Sequence, residues 1–313
     1  MSDNLLLLGG TDVTLAVAEA AMGCGVALAG IVAVGESFSI SYSETRIKNA
    51  RSVDLQDWTQ RHGVPLIPFT TYDDVLTHFS GGVPPLCVVA GWYHMVPRRV
   101  RELFARGCYG FHASLLPQLR GGAPLNWAIL SGMAETGVTL FEMADGVDDG
   151  LVFGQERFRI GPRATIAELA AEARRACATL TQRHLPALMA GTAQGTAQEG
   201  VPSYGLQRIP EDGAINWSAG AVTIDRMVRA VGRPYPGAFT RLGDTAIRIW
   251  AADIPMPQPQ VFGAPGQITK LREIAEPCVV TGDGLLRIVE ASDEAGSDQL
   301  DNLLRSAHKR FDS

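Results

Sequence analysis

The sequence predicts an α/β protein: a Rossmann-like, mostly parallel sheet with helices on both faces, plus a smaller C-terminal OB-like β-barrel domain. Three observations carry this expectation. Continuous apolar stretches of strand length alternate with helical stretches through the N-terminal half, as in a parallel sheet buried on both sides. Residues 191–204 are small, polar and glycine-rich, the composition of a linker. Beyond them, short strands are separated by Gly-Asp turns, the pattern of a small antiparallel barrel. The expected division is therefore 1–190, a linker over 191–204, and a second domain over 205–313.

Taken in order, residues 5–8 read as a first strand, Gly9-Gly10-Thr11 as a tight turn, and the stretch to about Met22 as a helix. Residues 26–34, 64–69, 86–90 and 108–111 follow as strands, with helices expected around 55–61, 72–79 and 97–106. An Arg-Gly-Gly turn after the fifth strand leads into an apolar helical run ending near Leu130. Residues 136–142 and 151–159 read as two more strands flanking "MADGVDDG". Thr165 and Glu168 form a capping box at a helix start, and Ile166, Leu169, Ala173, Cys177 and Leu180 keep helical spacing behind it. In the second domain a helix over 221–231 buries Ile224, Met227, Val228 and Val231, and strands are expected at 238–242, 245–251, 266–269, 278–281 and 285–289. The Gly-Gly at 9–10 is not followed by G-x-G-x-x-G, so a dinucleotide site is only weakly indicated.

Composition narrows the function. In 313 residues, 46% are hydrophobic and 19% charged, an ordinary globular balance without an apolar run of the roughly 18–20 residues a bilayer requires. The N-terminus lacks a basic region ahead of its apolar run, so the cytoplasm is the expected compartment. Five scattered cysteines, with no C-x-x-C pair, imply neither a zinc site nor a disulfide framework. Cys87 and Cys108 read as small buried hydrophobes. The histidines show no metal-ligand spacing, and no metal is expected. A net charge of −6 with dispersed cations weighs against a long nucleic acid, and leaves tRNA open.

The segment "YGFHASLLPQLRGGAPLNWAIL" (109–130) singles itself out. It places His112 at the end of a buried strand, ahead of a loop dense in backbone constraints. Ligands of open α/β sheets sit beyond the carboxyl ends of the strands. Asp145, Asp148 and Asp149 lie on the loop after the sixth strand. A histidine and a carboxylate meeting from two such loops suit positioned proton transfer: the acid fixes the imidazole tautomer and stabilises its cation. The pattern alone leaves open a satisfied core histidine and a solvated acidic turn.

The stretch "HASLLPQLRGGAPLNWAILSGMAETGVTLFEMADGVDDG" resembles the signature of the formyltransferases that use 10-formyltetrahydrofolate, and "IPEDGAINW" and "VRAVGRPYPGAF" resemble the C-terminal domain of the tRNA and sugar members. The resemblance implies a catalytic domain over 1–190, a 10-formyltetrahydrofolate co-substrate, and catalytic roles for His112 and Asp148. It further implies a folate slot formed by Trp92, Tyr93, Met95 and Val96, closed on its far side by Asp145, Gly146 and Val147. One position departs from the family: Gly110 stands where an asparagine is expected. Either another donor replaces that amide (a water, Asn126 or a side chain of "GWYHM"), or transfer is slow or absent. Arg120 is expected either to meet an anionic group of a ligand or to shape its loop, and Ser114 to hold the loop. The implied acceptor is the amine of a small molecule, an amino-sugar nucleotide being closest. A siderophore precursor such as hydroxyornithine, methionyl-tRNA, and a folate-binding protein without catalysis are the alternatives. The tRNA alternative is disfavoured because the region after the second strand carries only Arg46, Lys48 and Arg51 as cations. No membrane partner is expected, and the oligomeric state, a homodimer included, stays open.

Overall fold

The computed structural model of the chain describes residues 4–38, 47–79 and 81–312. Two compact units emerge from its internal contacts: Met1–Pro124, Glu135–Arg159 and Ala170–Leu206 form one, and Leu125–Ala134, Ile160–Leu169 and Gln207–Ser313 form the other.

The first unit is built on seven strands: β1 (Asn4–Gly9), β2 (Ala27–Ala33), β3 (Leu66–Pro68), β4 (Leu86–Ala90), β5 (Cys108–His112), β6 (Glu135–Glu142) and β7 (Val152–Arg159). They lie in the order β7-β6-β5-β4-β1-β2-β3. The pairs β3–β2, β2–β1, β1–β4 and β4–β5 are parallel, while β6 is antiparallel to both β5 and β7. Leu5, Leu6, Leu7 and Leu8 are all buried. Because successive side chains point to opposite faces, that run shows that both faces of the central strand are covered. On one face Leu6, Leu8, Cys87, Val89 and Cys108 pack with Val75, Val96, Val100 and Phe104. Cys87 and Cys108 are neighbours in register and both buried, as small hydrophobes are.

The helices are α1 (Asp12–Gly23), α2 (Gln56–His62), α3 (Tyr72–Thr77), α4 (Arg98–Arg101), α5 (Pro124–Leu130), α6 (Ile166–Ala190), α7 (Ala221–Val231) and α8 (Leu300–Arg305). Only four residues of the expected helix over 97–106 are α-helical. At the start of α6 the capping box is made, with Thr165 N–H donating to Glu168 Oε2 at 2.8 Å. Arg46 of the region after β2 lies outside the described residues. Arg51 is paired with Asp12 at 2.7 Å.

Chain order reverses between β1 and β4, the switch point where a dinucleotide would bind. There the Thr14 hydroxyl accepts from the N–H groups of Gly10 (2.9 Å) and Thr11 (3.1 Å) and donates to Ala90 O (2.6 Å). Amides that would cradle a phosphate are thus already satisfied from within the chain.

Residues 191–204 do not behave as their composition suggests. Val152 and Thr196 exchange backbone hydrogen bonds at 2.8 Å in both directions, and Tyr204–Gly205 pairs in parallel with Arg120–Gly121. A side chain at Gly195 would lie 2.7 Å from the Phe153 ring. Glycine here permits close approach of the backbone to a neighbour rather than flexibility.

The second unit carries a five-stranded antiparallel sheet of β8 (Ala238–Leu242), β9 (Thr245–Asp253), β10 (Ile268–Thr269), β11 (Cys278–Thr281) and β12 (Gly284–Ser292), in the order β8-β9-β12-β11-β10. The indole of Trp217 stacks on Phe311 at 5.2 Å and donates to Thr240 Oγ1 at 3.0 Å. On α7, Ile224, Val228 and Val231 are buried as expected, the expected Met227 is only half-buried, and Asp225 and Arg229 are buried as well. That acid and base, one turn apart, pair at 3.0 Å, and Arg163 joins Asp225 at 2.6 Å. A buried charge needs such partners, so the buried stripe is wider than its apolar residues suggest.

Among the described residues no helix is long and apolar enough to cross a membrane. Because one hydroxyl satisfies three backbone groups at the switch point, Thr14→Val is expected to destabilise the protein by about 1–3 kcal/mol. Urea unfolding followed by tryptophan fluorescence reads this out, and an unchanged midpoint would contradict it.

Candidate active site

The last residue of β5 is His112, 7% exposed. Its Nδ1 lies 3.3 Å from Asp148 Oδ2, and its Nε2 lies 2.7 Å from the carbonyl oxygen of Leu119. Both ring nitrogens therefore face acceptors; a neutral ring donates to one of them, the charged ring to both. Asp148 Oδ2 also accepts from the Gly121 N–H at 2.8 Å. One carboxylate oxygen thus joins the strand, the loop that leaves it and the loop after β6.

These two loops approach differently from the arrangement expected from the sequence. Because β6 runs antiparallel to β5, its exit lies beside the start of β5, with Glu142 opposite Tyr109. Met143 N–H donates to Cys108 O at 2.9 Å, and the loop then folds back along β5 until Asp148 reaches His112. The return bends the backbone sharply. Asp148 (φ 48°), Leu119 (φ 53°) and Ala123 (φ 50°) all occupy the left-handed region, a conformation that surrounding contacts must hold in place and that gathers at functional sites.

Much of that holding comes from residues the sequence did not flag. Thr139, fully buried, donates to Ser114 O at 2.7 Å and accepts from Leu116 N–H at 3.1 Å. Gln155 donates to both Thr139 Oγ1 (3.0 Å) and Leu116 O (2.9 Å). Ser114 donates to Gln118 O within its own loop, and Ser203 Oγ accepts from Leu119 N–H at 2.9 Å. The Arg120 guanidinium is turned to Gln198, to which it donates at 3.1 and 2.7 Å. This contact is in keeping with the loop-shaping alternative. Polar residues at alternate strand positions give no signal until register brings them beside the loop.

Gly110 shares the face of β5 that carries His112, two residues on. The space its side chain would enter is filled: a Cβ there would lie 2.7 Å from Met143 Sδ and 3.4 Å from the Phe141 ring. A thioether has no proton to donate, so Met143 takes the volume of the expected amide without its chemistry. Asn126, one of the considered replacements, donates its amide to Ala230 O at 2.7 Å within the second unit.

The remaining expected residues fall into two groups. Trp92 donates its indole N–H to Tyr72 Oη at 3.1 Å, and Tyr72 donates to Met95 O at 3.0 Å. Burial pushes the Tyr72 phenol up, which keeps it a donor. Trp92 and Tyr72 both lie against Phe69. Tyr93 donates to Asn49 Oδ1 at 2.9 Å. Met95 is 68% exposed, whereas Val96, expected in the slot wall, is a core residue packed with Val100. His94 lies against Phe69 and Trp92, with its Nε2 buried and unpaired, and burial pushes its imidazole down.

The second group, Asp145, Gly146 and Val147, is exposed. Asp145 is bound by Arg101 and lies 3.6 Å from Arg98. Arg101 also donates to Val96 O (3.1 Å) and Met143 O (2.5 Å). This unflagged arginine therefore ties the 91–97 segment to the 143–147 segment, bringing together the two expected sides of the slot. Among the described residues no group of three or more His, Cys, Asp or Glu could hold a metal ion.

Comparison with known proteins bears on the family and the fold. The formyl transferase family model matches residues 72–183, and the model for the formyl transferase C-terminal domain matches residues 208–301, together about two thirds of the chain. Among solved structures, WlaRD, a sugar 3N-formyl transferase determined in the presence of dTDP and 5-N-formyl-THF, is 14% identical with a TM-score of 0.64, over 94% of this chain and 98% of that one. HypX from Aquifex aeolicus in complex with tetrahydrofolic acid is 18% identical with a TM-score of 0.62, over 94% of this chain and 45% of that one, so this chain spans under half of HypX. The methionyl-tRNA formyltransferase from Clostridium thermocellum is 18% identical with a TM-score of 0.53, over 80% and 92% of the two chains. At these identities the likeness concerns the fold; the two domain matches, in order along the chain, concern descent, and the protein belongs to the formyl transferase family of enzymes.

Proposed function

We propose that the protein transfers the formyl group of 10-formyltetrahydrofolate to the amine of a small molecule, an amino-sugar nucleotide being the preferred acceptor. The observation that carries this reading is the contact of His112 with Asp148 at 3.3 Å at the end of a buried strand. The segments tied by Arg101 suit the co-substrate. Trp92, Phe69 and Tyr72 offer an aromatic wall, and the unpaired His94 Nε2 is a polar atom without a partner within the protein. An apolar wall with few polar groups is what a flat heteroaromatic ligand requires.

In this reaction the acceptor nitrogen bonds to the formyl carbon, the bond from that carbon to N10 breaks, and the proton lost by the amine ends on N10. His112 supplies a hydrogen-bond donor to the oxygen that becomes negative, exchanging Leu119 O for it at Nε2. Such a donor contributes roughly 2.7–4 kcal/mol, about 10²–10³ in rate. Asp148 holds the ring through Nδ1, stabilises its charged form and relays the proton. We read the compartment as cytoplasmic and the C-terminal sheet as an OB-like barrel. Supporting a small acceptor over tRNA are the chain's net charge of −6 and the pairing of Arg51 with Asp12.

A screen of amine acceptors with 10-formyltetrahydrofolate, read by mass for the gain of one formyl group, tests the reading; folate binding without transfer to any amine would overturn it. With the acceptor found, His112→Gln and Asp148→Asn are each expected to lower kcat by about 10²–10⁴ while folate affinity stays within a few-fold. Full rates in both variants would refute their roles. Gly110→Asn alone is expected to transfer more slowly than wild type because Met143 obstructs it, and adding Met143→Ala to restore or exceed the wild-type rate. A double variant no faster than the single one would mean that this position does not face the reacting oxygen.

A further inference from the structure

Within the 191–204 stretch, one side chain spends its whole hydrogen-bonding capacity on the active site. Gln198 Oε1 accepts from Arg120 Nε at 3.1 Å and Nη2 at 2.7 Å. Gln198 Nε2 donates to Asp148 O at 2.8 Å and Gly150 O at 3.0 Å. A primary amide has two acceptor lone pairs and two N–H donors, and here all four are engaged. The targets belong to two separate loops: Arg120 adjoins Gly121, whose N–H binds the Asp148 carboxylate, and Asp148 is itself the residue in the left-handed conformation. A residue so twisted costs of order 1–3 kcal/mol unless its surroundings impose the conformation. Gln198 supplies that imposition at its carbonyl, and Gly121 at its carboxylate.

We propose that Gln198 is a positioning residue: it acts through the Asp148 backbone and the Arg120 side chain to keep the Asp148 carboxylate aimed at His112. The proposal rests on the reading of His112 and Asp148 as the transfer pair. Its chemistry is specific. Glutamate at this position has the same size and still receives Arg120, but offers no donor to the Asp148 and Gly150 carbonyls. Asparagine falls one methylene short of them. A role in stability alone would make only the folded fraction depend on this residue; a positioning role changes the environment of the His112 ring.

The test uses the full chain with ring-¹⁵N-labelled histidine at one fixed pH, the His112 signals being identified by their loss in His112→Gln. In Gln198→Ala and Gln198→Glu the His112 ring shifts are expected to move in the same direction as in Asp148→Asn, with those of His62, His78 and His184 unmoved. With the acceptor from the mass screen, kcat is expected to fall on the order of 10- to 100-fold, as for a small misplacement of a reacting group, while KM for 10-formyltetrahydrofolate stays near wild type. Should Gln198→Ala fail to fold, the isosteric Gln198→Glu carries the comparison. A folded variant with wild-type His112 shifts and kcat would overturn the proposal. Since the spectroscopic arm needs no acceptor, absence of transfer by the wild type alongside the expected shifts would sink the functional reading and leave the positioning role standing.

Discussion

One oxygen atom, Oδ2 of Asp148, is the point on which the site turns. It meets the His112 ring at 3.3 Å and the Gly121 amide at 2.8 Å, so a strand end, its exit loop and a loop from the antiparallel strand converge on a single acceptor. The convergence is demanding. It requires left-handed backbone at Leu119, Ala123 and Asp148, none of which is glycine. Such conformations persist only when neighbouring contacts over-determine them. Ser203 provides such a contact to Leu119 and Gln198 to Asp148, while Thr139 and Gln155 brace the same loop at Ser114 and Leu116.

The sheet explains why such a site can be held at all. Its central strand is buried on both faces, and the end of β5 is fixed by the register of its neighbours. Hydrogen bonds buried at this edge are hard to exchange for water, so each contributes more to geometry than an exposed one would. Where the apolar interior gives way to loops, polar side chains take over as struts: Arg101 on one side, spanning Val96, Met143 and Asp145, and the Arg120–Gln198 contact on the other.

At Gly110 the same packing logic runs in reverse. The missing side chain leaves no void, because the Met143 thioether fills the place. A polarizable, unbranched side chain adapts to such a gap, and the exchange trades an amide for apolar volume beside His112. On the proposed reading, the His112–Asp148 pair then works without an amide at that position.

By itself the sequence determined the alternation of strand and helix, the two structural grammars, and the identity of His112 and Asp148 as a candidate pair. These are local facts: side-chain periods of two and 3.6 residues, turn residues, and a motif contiguous along the chain. Only the tertiary structure decided that β6 runs antiparallel, that Val96 faces the core, that the glycine-rich stretch after α6 pairs with Val152 and with Arg120–Gly121, and that Arg101 and Gln198 brace the loops. Each of these is a meeting of residues far apart in sequence, set by strand register and chain return. A glutamine or an arginine reads alike whether it faces solvent or a carbonyl on another loop; what distinguishes the two is the partner, and the partner is supplied by the fold.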